Sequence, residues 1–478
     1  ASHAFINLAT ILFYVPARRG EEARIAFSGL REGWSVAVAL RPGENSTTFV
    51  APGYDALVDA PVEIGDFQQF RFEAPGPGSP PRPVKIRVVI HGDGWTQERI
   101  TGSLKKIVST ETQLMRDVPF DEFLFLYHFG PAAGGGGGGM EHSNSTAIHT
   151  GSAGTFEGVT AHEFFHLWNV KRIRPRTLEP VDYTKENWTR ALWFAEGVTS
   201  TYGSYTLVRG GLWSREQFYA DLAGQISELE SRPARLWKSA EEASLDAWFE
   251  KYSPYRRPEY SISYYNKGQL LGVLLDILIR DATDNRAGLD DVLRDLNEKF
   301  AKRGRPYDET KDLRAAVERA AGKSFGEFFV KYVSGTDELP CKDVLARAGL
   351  RLKPLGQLRA DFGFTVSRGP DAVSVVSLME SGSGAEKAGI RDGDVLMELD
   401  GAPFPRNPGT WLREHQPGAT ARVKVRRGST EREVAFALGQ RQESSYRIED
   451  DENASEKERR IREGLIKGIT NSPSGAGR

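Results

Sequence analysis

The sequence predicts a multidomain α+β protein: an antiparallel β-sandwich-like unit first, a mostly helical unit in the middle, and a small β unit near the end. Three observations predict it. Through residue 97 the apolar residues alternate, or run in short stretches between turn residues, as strands do. From 98 to 345 the apolar spacing is mostly that of helices. Between 355 and 440 short strands return around one brief helical stretch. At about 100–200 residues per domain, 478 residues suit about three domains.

In the first unit Ile25-Ala26-Phe27, Trp34 to Leu40, Asp66 to Phe72 and Val84 to Ile90 read as strands, with the Pro/Gly-rich stretch Pro75 to Pro83 as the loop between the last two. Gln97 to Met115 then has a helical period, and Phe123 to Tyr127 is a buried strand. Six consecutive glycines, Gly134 to Gly139, follow. Gly268 to Ile279 is strongly apolar, long enough for a buried helix and too short to span a bilayer. The third unit has strands at Ala372 to Val376, Val395 to Leu399, Ala421 to Val425 and Arg432 to Ala437. From 441 to 478 the chain reads as a charged tail: Glu456 to Lys467 is an amphipathic helix, and Asn471 to Arg478 is expected to be disordered.

The totals exclude several classes. The chain is 39% hydrophobic and 27% charged, as globular proteins are. Its net charge of −2, from 63 basic and 65 acidic residues, calls for neither nucleic acid nor an anionic membrane. No apolar run reaches the length of a membrane span. The single cysteine, Cys341, rules out an internal disulfide; it suits the cytoplasm and equally a periplasmic protein that avoids cysteine. The chain starts at Ala1 and shows no signal-peptide apolar region, so it reads as a mature form or a fragment lacking its first strands.

Chemistry concentrates in His162-Glu163-Phe164-Phe165-His166. On a helix, residues four apart share a face, so both imidazoles can reach one Zn²⁺ while Glu163 faces the metal-bound water. With eight histidines in the chain, a chance match is about one in a hundred. A catalytic zinc needs a third protein ligand. Glu186, twenty positions after His166, is favoured by spacing; Glu196, thirty after, is favoured by context. Glu196 lies in the apolar run Leu192-Trp193-Phe194-Ala195-Glu196-Gly197-Val198, where an inward carboxylate must be paired or metal-bound. Glu186 looks like a solvated helix start. Glu196 is the expected third ligand.

The stretch His162 to Pro175, followed by Trp193-Phe194-Ala195-Glu196-Gly197, resembles the glycyl aminopeptidase family of zinc peptidases, relatives of aminopeptidase N within the gluzincins. That resemblance implies a thermolysin-like catalytic domain, removal of N-terminal glycine or alanine from peptides with a free N-terminus, and export in bacterial members. It also implies roles for two further segments. Gly138-Gly139-Met140-Glu141-His142 is similar to the Gly-x-Met-Glu-Asn exopeptidase signature, whose glutamate holds the substrate's α-amine; this points to Glu141, with His142 in place of the usual asparagine. A plain glycine linker is the alternative. Tyr265-Asn266-Lys267-Gly268 resembles a segment whose tyrosine donates to the tetrahedral oxyanion; this points to Tyr265, with Tyr264 and Tyr260 as neighbours that could be confused with it, and a structural tyrosine as the alternative.

Near the end, Gly382 to Leu396 resembles a PDZ domain of the bacterial protease type, with Phe362-Gly363-Phe364 as the loop that would hold a peptide's C-terminal carboxylate. A PDZ fold used only for packing is the alternative. A PDZ-assisted zinc endopeptidase and a non-catalytic PDZ scaffold are the competing functions.

Overall fold

Strand alternation in the first 66 residues produces two small antiparallel sheets around one apolar core. The computed structural model describes residues 3–130, 137–151, 155–250, 258–368, 373–442 and 444–471. One sheet orders His3–Ile6, Val62–Gly65 and Ser35–Ala37; the other orders Ala23–Ala26, Thr48–Ala51 and Arg41–Pro42. Leu8, Phe49, Tyr54, Leu57, Val62 and Ile64 fill the space between them.

The strands Gln68–Pro75 and Pro83–His91 do not belong to that first unit, contrary to the boundary at 97 expected from the sequence. They form a hairpin that opens a five-stranded mixed sheet. Pro83–His91, Glu122–Phe129 and Ser145–Thr150 run parallel in its interior, and Gly138–Glu141 is the antiparallel edge. Parallel strands need a crossover, and the helix Gln97–Met115 supplies it, with the bounds that its period predicts. Thr96 caps it by accepting from the Arg99 N–H. The parallel strands are apolar on both faces, so their pattern marks them as strands without saying which sheet holds them.

Phe125, Tyr127 and Ile148 pack towards the helices, in a core that continues through Trp168, Phe194, Tyr202 and Leu271. Alternate residues, Val89, Leu124, Leu126 and Ala147, meet Ala37 of the first unit on the other face. The apolar segment at 268–279 lies inside the helix Tyr264–Thr283. Among the described residues no helix is long and apolar enough to cross a membrane.

A further β unit, residues 358–442, has its own core around Phe362, Phe364, Val376, Leu396, Val423 and Phe436. Strands appear at Ser374–Ser377, Val395–Leu399, Thr420–Arg427 and Thr430–Ala437, close to the expected places; Ala372 lies outside the described residues. The chain then returns. Tyr446–Asp450 pairs with Leu350–Pro354, and the helix Glu456–Lys467 buries Ile461, Leu465 and Ile466 in the main core. The expected charged tail is thus an integral part of the helical unit, because one apolar face of its helix has a partner. Of the stretch Asn471 to Arg478, expected to be disordered, Asn471 donates its N–H to the Asn285 carbonyl at 2.8 Å, and 472–478 lie outside the described residues, as do Gly134 to Gly136 of the glycine run. Cys341 is buried.

Candidate metal centre

The helix Glu157–Phe165 carries His162 and Glu163, and His166 caps its end. A six-residue π-helical turn, Trp193–Val198, presents Glu196 to them. His162 Nε2 and His166 Nε2 lie 3.0 Å apart, and Glu196 Oε2 is 3.2 Å from each. Donors on a tetrahedral zinc at about 2.0–2.1 Å stand about 3.3 Å apart, so this triangle fits one such ion. Glu186 is exposed and joins no such group among the described residues.

The second nitrogen of each imidazole is already engaged. His166 Nδ1–H donates to the Asn169 carbonyl at 2.6 Å. His162 Nδ1–H faces Ser200 Oγ at 3.3 Å, and that hydroxyl donates onward to the Glu196 carbonyl at 3.0 Å. Both Nε2 atoms are thereby turned to the centre with their lone pairs inward. Asn169 also locks the two halves together: its Nδ2 donates to the Phe194 carbonyl at 2.9 Å and to Thr199 Oγ1 at 3.1 Å, beside the turn that bears Glu196.

Glu141 and Glu163 bring further negative charge; their donor atoms and one of His166 lie within 4.8 Å of one another. Burial lowers the pKa of His162. Burial acts the same way on His166, but the Glu196, Glu141 and Glu163 carboxylates outweigh it and push the imidazole up to about 10. Burial tends to raise Glu196, yet the two imidazoles hold it well below the usual carboxylate range. Three carboxylates around two imidazoles call for a cation, which the donor set would accept. His166 is 1% exposed in its side chain whereas His162 and Glu196 keep 16% each, so the group opens on one side.

Two glycines make this approach possible. A Cβ on Gly139 would stand 2.3 Å from Glu163 Cγ, so the glutamate packs directly on the bare strand edge. A Cβ on Gly197 would meet Gly268 Cα at 2.4 Å; the π-helical turn and the helix Tyr264–Thr283 therefore touch backbone to backbone. That contact sets Tyr265 with its ring 5.9 Å from the His162 ring, while Tyr260 is exposed and Tyr264 is buried against the core.

The sequence reading missed what holds the Glu141 strand. Asp59, from the first unit, accepts from Ser143 N at 2.9 Å, Ser143 Oγ at 2.6 Å, Lys171 Nζ at 2.6 Å and His142 Nδ1 at 3.3 Å. His142 is thus spent on Asp59. Arg172 adds bonds to the Ser143 and Pro119 carbonyls at 2.9 and 2.7 Å. The basic pair Lys171-Arg172, five and six positions after His166, was the available signal.

Two family profiles match parts of the chain: M61 glycyl aminopeptidase over residues 155–271, and the peptidase M61 N-terminal domain over residues 1–66. The first match spans His162, Glu163, His166, Glu196 and Tyr265, and leaves Glu141 outside it. An aminopeptidase N family protein from Idiomarina loihiensis shares the fold, with a TM-score of 0.82 at 24% identity over 97% of this chain and 82% of that one. An M1 zinc metallopeptidase from Deinococcus radiodurans aligns with a TM-score of 0.45 at 18% identity, over 67% of this chain and 64% of its own. No curated protein matches.

Proposed function

We propose that the chain is a zinc-dependent aminopeptidase that removes small N-terminal residues, glycine and alanine, from peptides. The observation that carries this reading is the convergence of His162 Nε2, His166 Nε2 and Glu196 Oε2 beside Glu163 and Glu141. The matched M61 segments support it. His162, His166 and Glu196 hold one catalytic zinc, which when bound polarises the first peptide carbonyl and acidifies a water. Glu163 takes the water's proton on its carboxylate and delivers it to the leaving amine. Glu141 pairs with the substrate's α-ammonium, and the bare edge at Gly138–Gly139 lets the substrate backbone lie alongside. Tyr265 donates to the oxyanion; burial, then the nearby carboxylates, push its phenol above the ordinary value and keep it a donor.

The reading extends to the unit at 358–442 as a PDZ domain that takes C-terminal peptides. Its strand Thr365–Arg368 is the edge of its sheet, directly after Phe362-Gly363-Phe364, and Trp411 of the helix Pro408–Arg413 stacks on Phe362 at 5.6 Å. It extends also to an exported protein, whose one thiol is buried and whose fold uses no disulfide.

The test measures amino acid released from Gly-, Ala- and Leu-peptides, each with a free and an acetylated N-terminus, with and without a chelator. Chelator-sensitive cleavage of free Gly and Ala peptides, lost on acetylation, is expected. Equal cleavage of acetylated peptides would replace the exopeptidase with an endopeptidase, and no cleavage of any peptide by the zinc-loaded protein would end the peptidase reading.

A further inference from the structure

Four further histidines gather between the first unit and the five-stranded sheet: His3 on the first unit, and His91, His128 and His149 on the sheet's interior strands. Register brings three of them into one row. His91 pairs with His128 across the parallel strands Pro83–His91 and Glu122–Phe129, and His128 pairs with His149 across Ser145–Thr150. The imidazoles stack, with centroids 5.7 Å apart for His91 and His128 and 6.4 Å for His128 and His149. The row continues at Gly138, one residue from the Gly139 that faces Glu163. Successive residues of a strand face opposite ways. The row therefore looks towards the first unit, as Val89, Leu126 and Ala147 do.

The first unit answers with two more donors. Phe5 pairs with Glu63 in its antiparallel sheet, and His3 lies on the same strand as Phe5. Glu63 is 1% exposed in its side chain. Its Oε1 is 2.7 Å from His3 Nδ1 and 2.9 Å from His91 Nε2, and its Oε2 is 2.9 Å from His128 Nε2. Donor atoms of His3, Glu63 and His128 all fall within 4.8 Å of one another. A buried carboxylate faces three imidazoles here, with no lysine or arginine in ion-pair contact with it among the described residues. Hydrogen bonds alone do not complete the group, because His91 Nε2 is out of line for one despite its distance. An open cavity lined by His3, Phe5, His128 and His149 gives access from one side.

We propose that His3, Glu63, His91 and His128 form a second divalent-cation site, distinct from the catalytic zinc, that fastens the first unit to the five-stranded sheet. His3, Glu63 and His128 are the gathered donors, and His91, 2.9 Å from Glu63 Oε1, stands beside them as the fourth; three imidazoles and one carboxylate are a donor set that suits a structural zinc. A single ion there neutralises the buried Glu63 and joins donors from four strands of two sheets.

The test starts from the full chain carrying His162→Ala and His166→Ala, which empties the catalytic group. After dialysis against zinc chloride and removal of free metal, elemental analysis should find one zinc per chain. Adding His91→Ala or His128→Ala should reduce it at least tenfold, and zinc should raise the melting temperature of the double variant but not of those triple variants. Should a triple variant fail to fold, zinc K-edge absorption of the double variant still reads the donors, and a shell with at least two imidazoles is expected. A folded double variant that retains no zinc would overturn the proposal. So would zinc undiminished by His91→Ala and His128→Ala, or a K-edge shell without imidazole.

Discussion

Two groups of histidine and carboxylate sit on opposite faces of the five-stranded sheet, and they are assembled by different means. The helix-side group takes two donors from one helical turn and a third from a π-helical turn pressed against it through Gly197 and Gly268. The strand-side group takes one donor from each of four strands, three of them more than twenty residues from the next. The first is held by hydrogen bonds around Asn169 and Ser200; the second by sheet register and the packing of Ala37 on Leu124 and Leu126. Local geometry builds the one, tertiary geometry the other.

Substitutions on the helix side should break the first group without touching the second. Glu163→Gln keeps the side chain's shape and removes the proposed base, so kcat should fall by about 10²–10⁴-fold while bound zinc stays constant; unaltered kcat would refute the base. Gly139→Ala is expected to cost about a hundredfold in kcat, since a displacement of about 1 Å at a reacting group has that effect, with the melting temperature nearly unmoved. A variant as active as the parent would show that Glu163 has room to retreat. Asn169→Ala strips donors from the Phe194 carbonyl and Thr199. It should weaken zinc binding about 10–100-fold and destabilise the fold by about 1–3 kcal/mol, read by zinc competition and by urea unfolding.

The smallest effect concerns a buried charge that neither group uses. Burial, only partly offset by Glu242 and Asp337, lowers Lys267 from 10.5 to about 8. Between those values the unfolded chain binds a proton that the folded chain has released, so this group's contribution to stability rises as pH climbs from about 8 to 10.5; below 8 its cost is constant. Lys267→Met removes that cost. Its stability relative to the parent should therefore decline by about 1–3 kcal/mol between pH 7 and 10, measured by denaturant titration at each pH. A constant difference would mean that Lys267 stays charged throughout.

The same contrast explains what the sequence made legible. His162, Glu163 and His166 stand within five positions, and a helical period alone aligns them. Glu196 was legible because an apolar run isolates one carboxylate. The helices Gln97–Met115 and Glu456–Lys467 were legible from their apolar period. The strands at 68–75 and 83–91 were legible as strands but not as members of the second sheet, since alternation fixes a face and says nothing of the neighbour. For that reason His3, Glu63, His91 and His128 carried no readable spacing, and Asp59 gave no sign that it would gather His142, Ser143 and Lys171.

Cys341 is the sole thiol of the chain, buried and pushed up to about 12, chiefly by desolvation. Thiolate is the species that alkylating reagents attack, so this side chain stays silent to maleimides at neutral pH. Any cysteine placed on the surface therefore becomes a unique attachment point without prior removal of the native one. A pair of spin labels, one on the first unit and one on the rim of the five-stranded sheet, would then report the distance across that seam as metal is added or withdrawn.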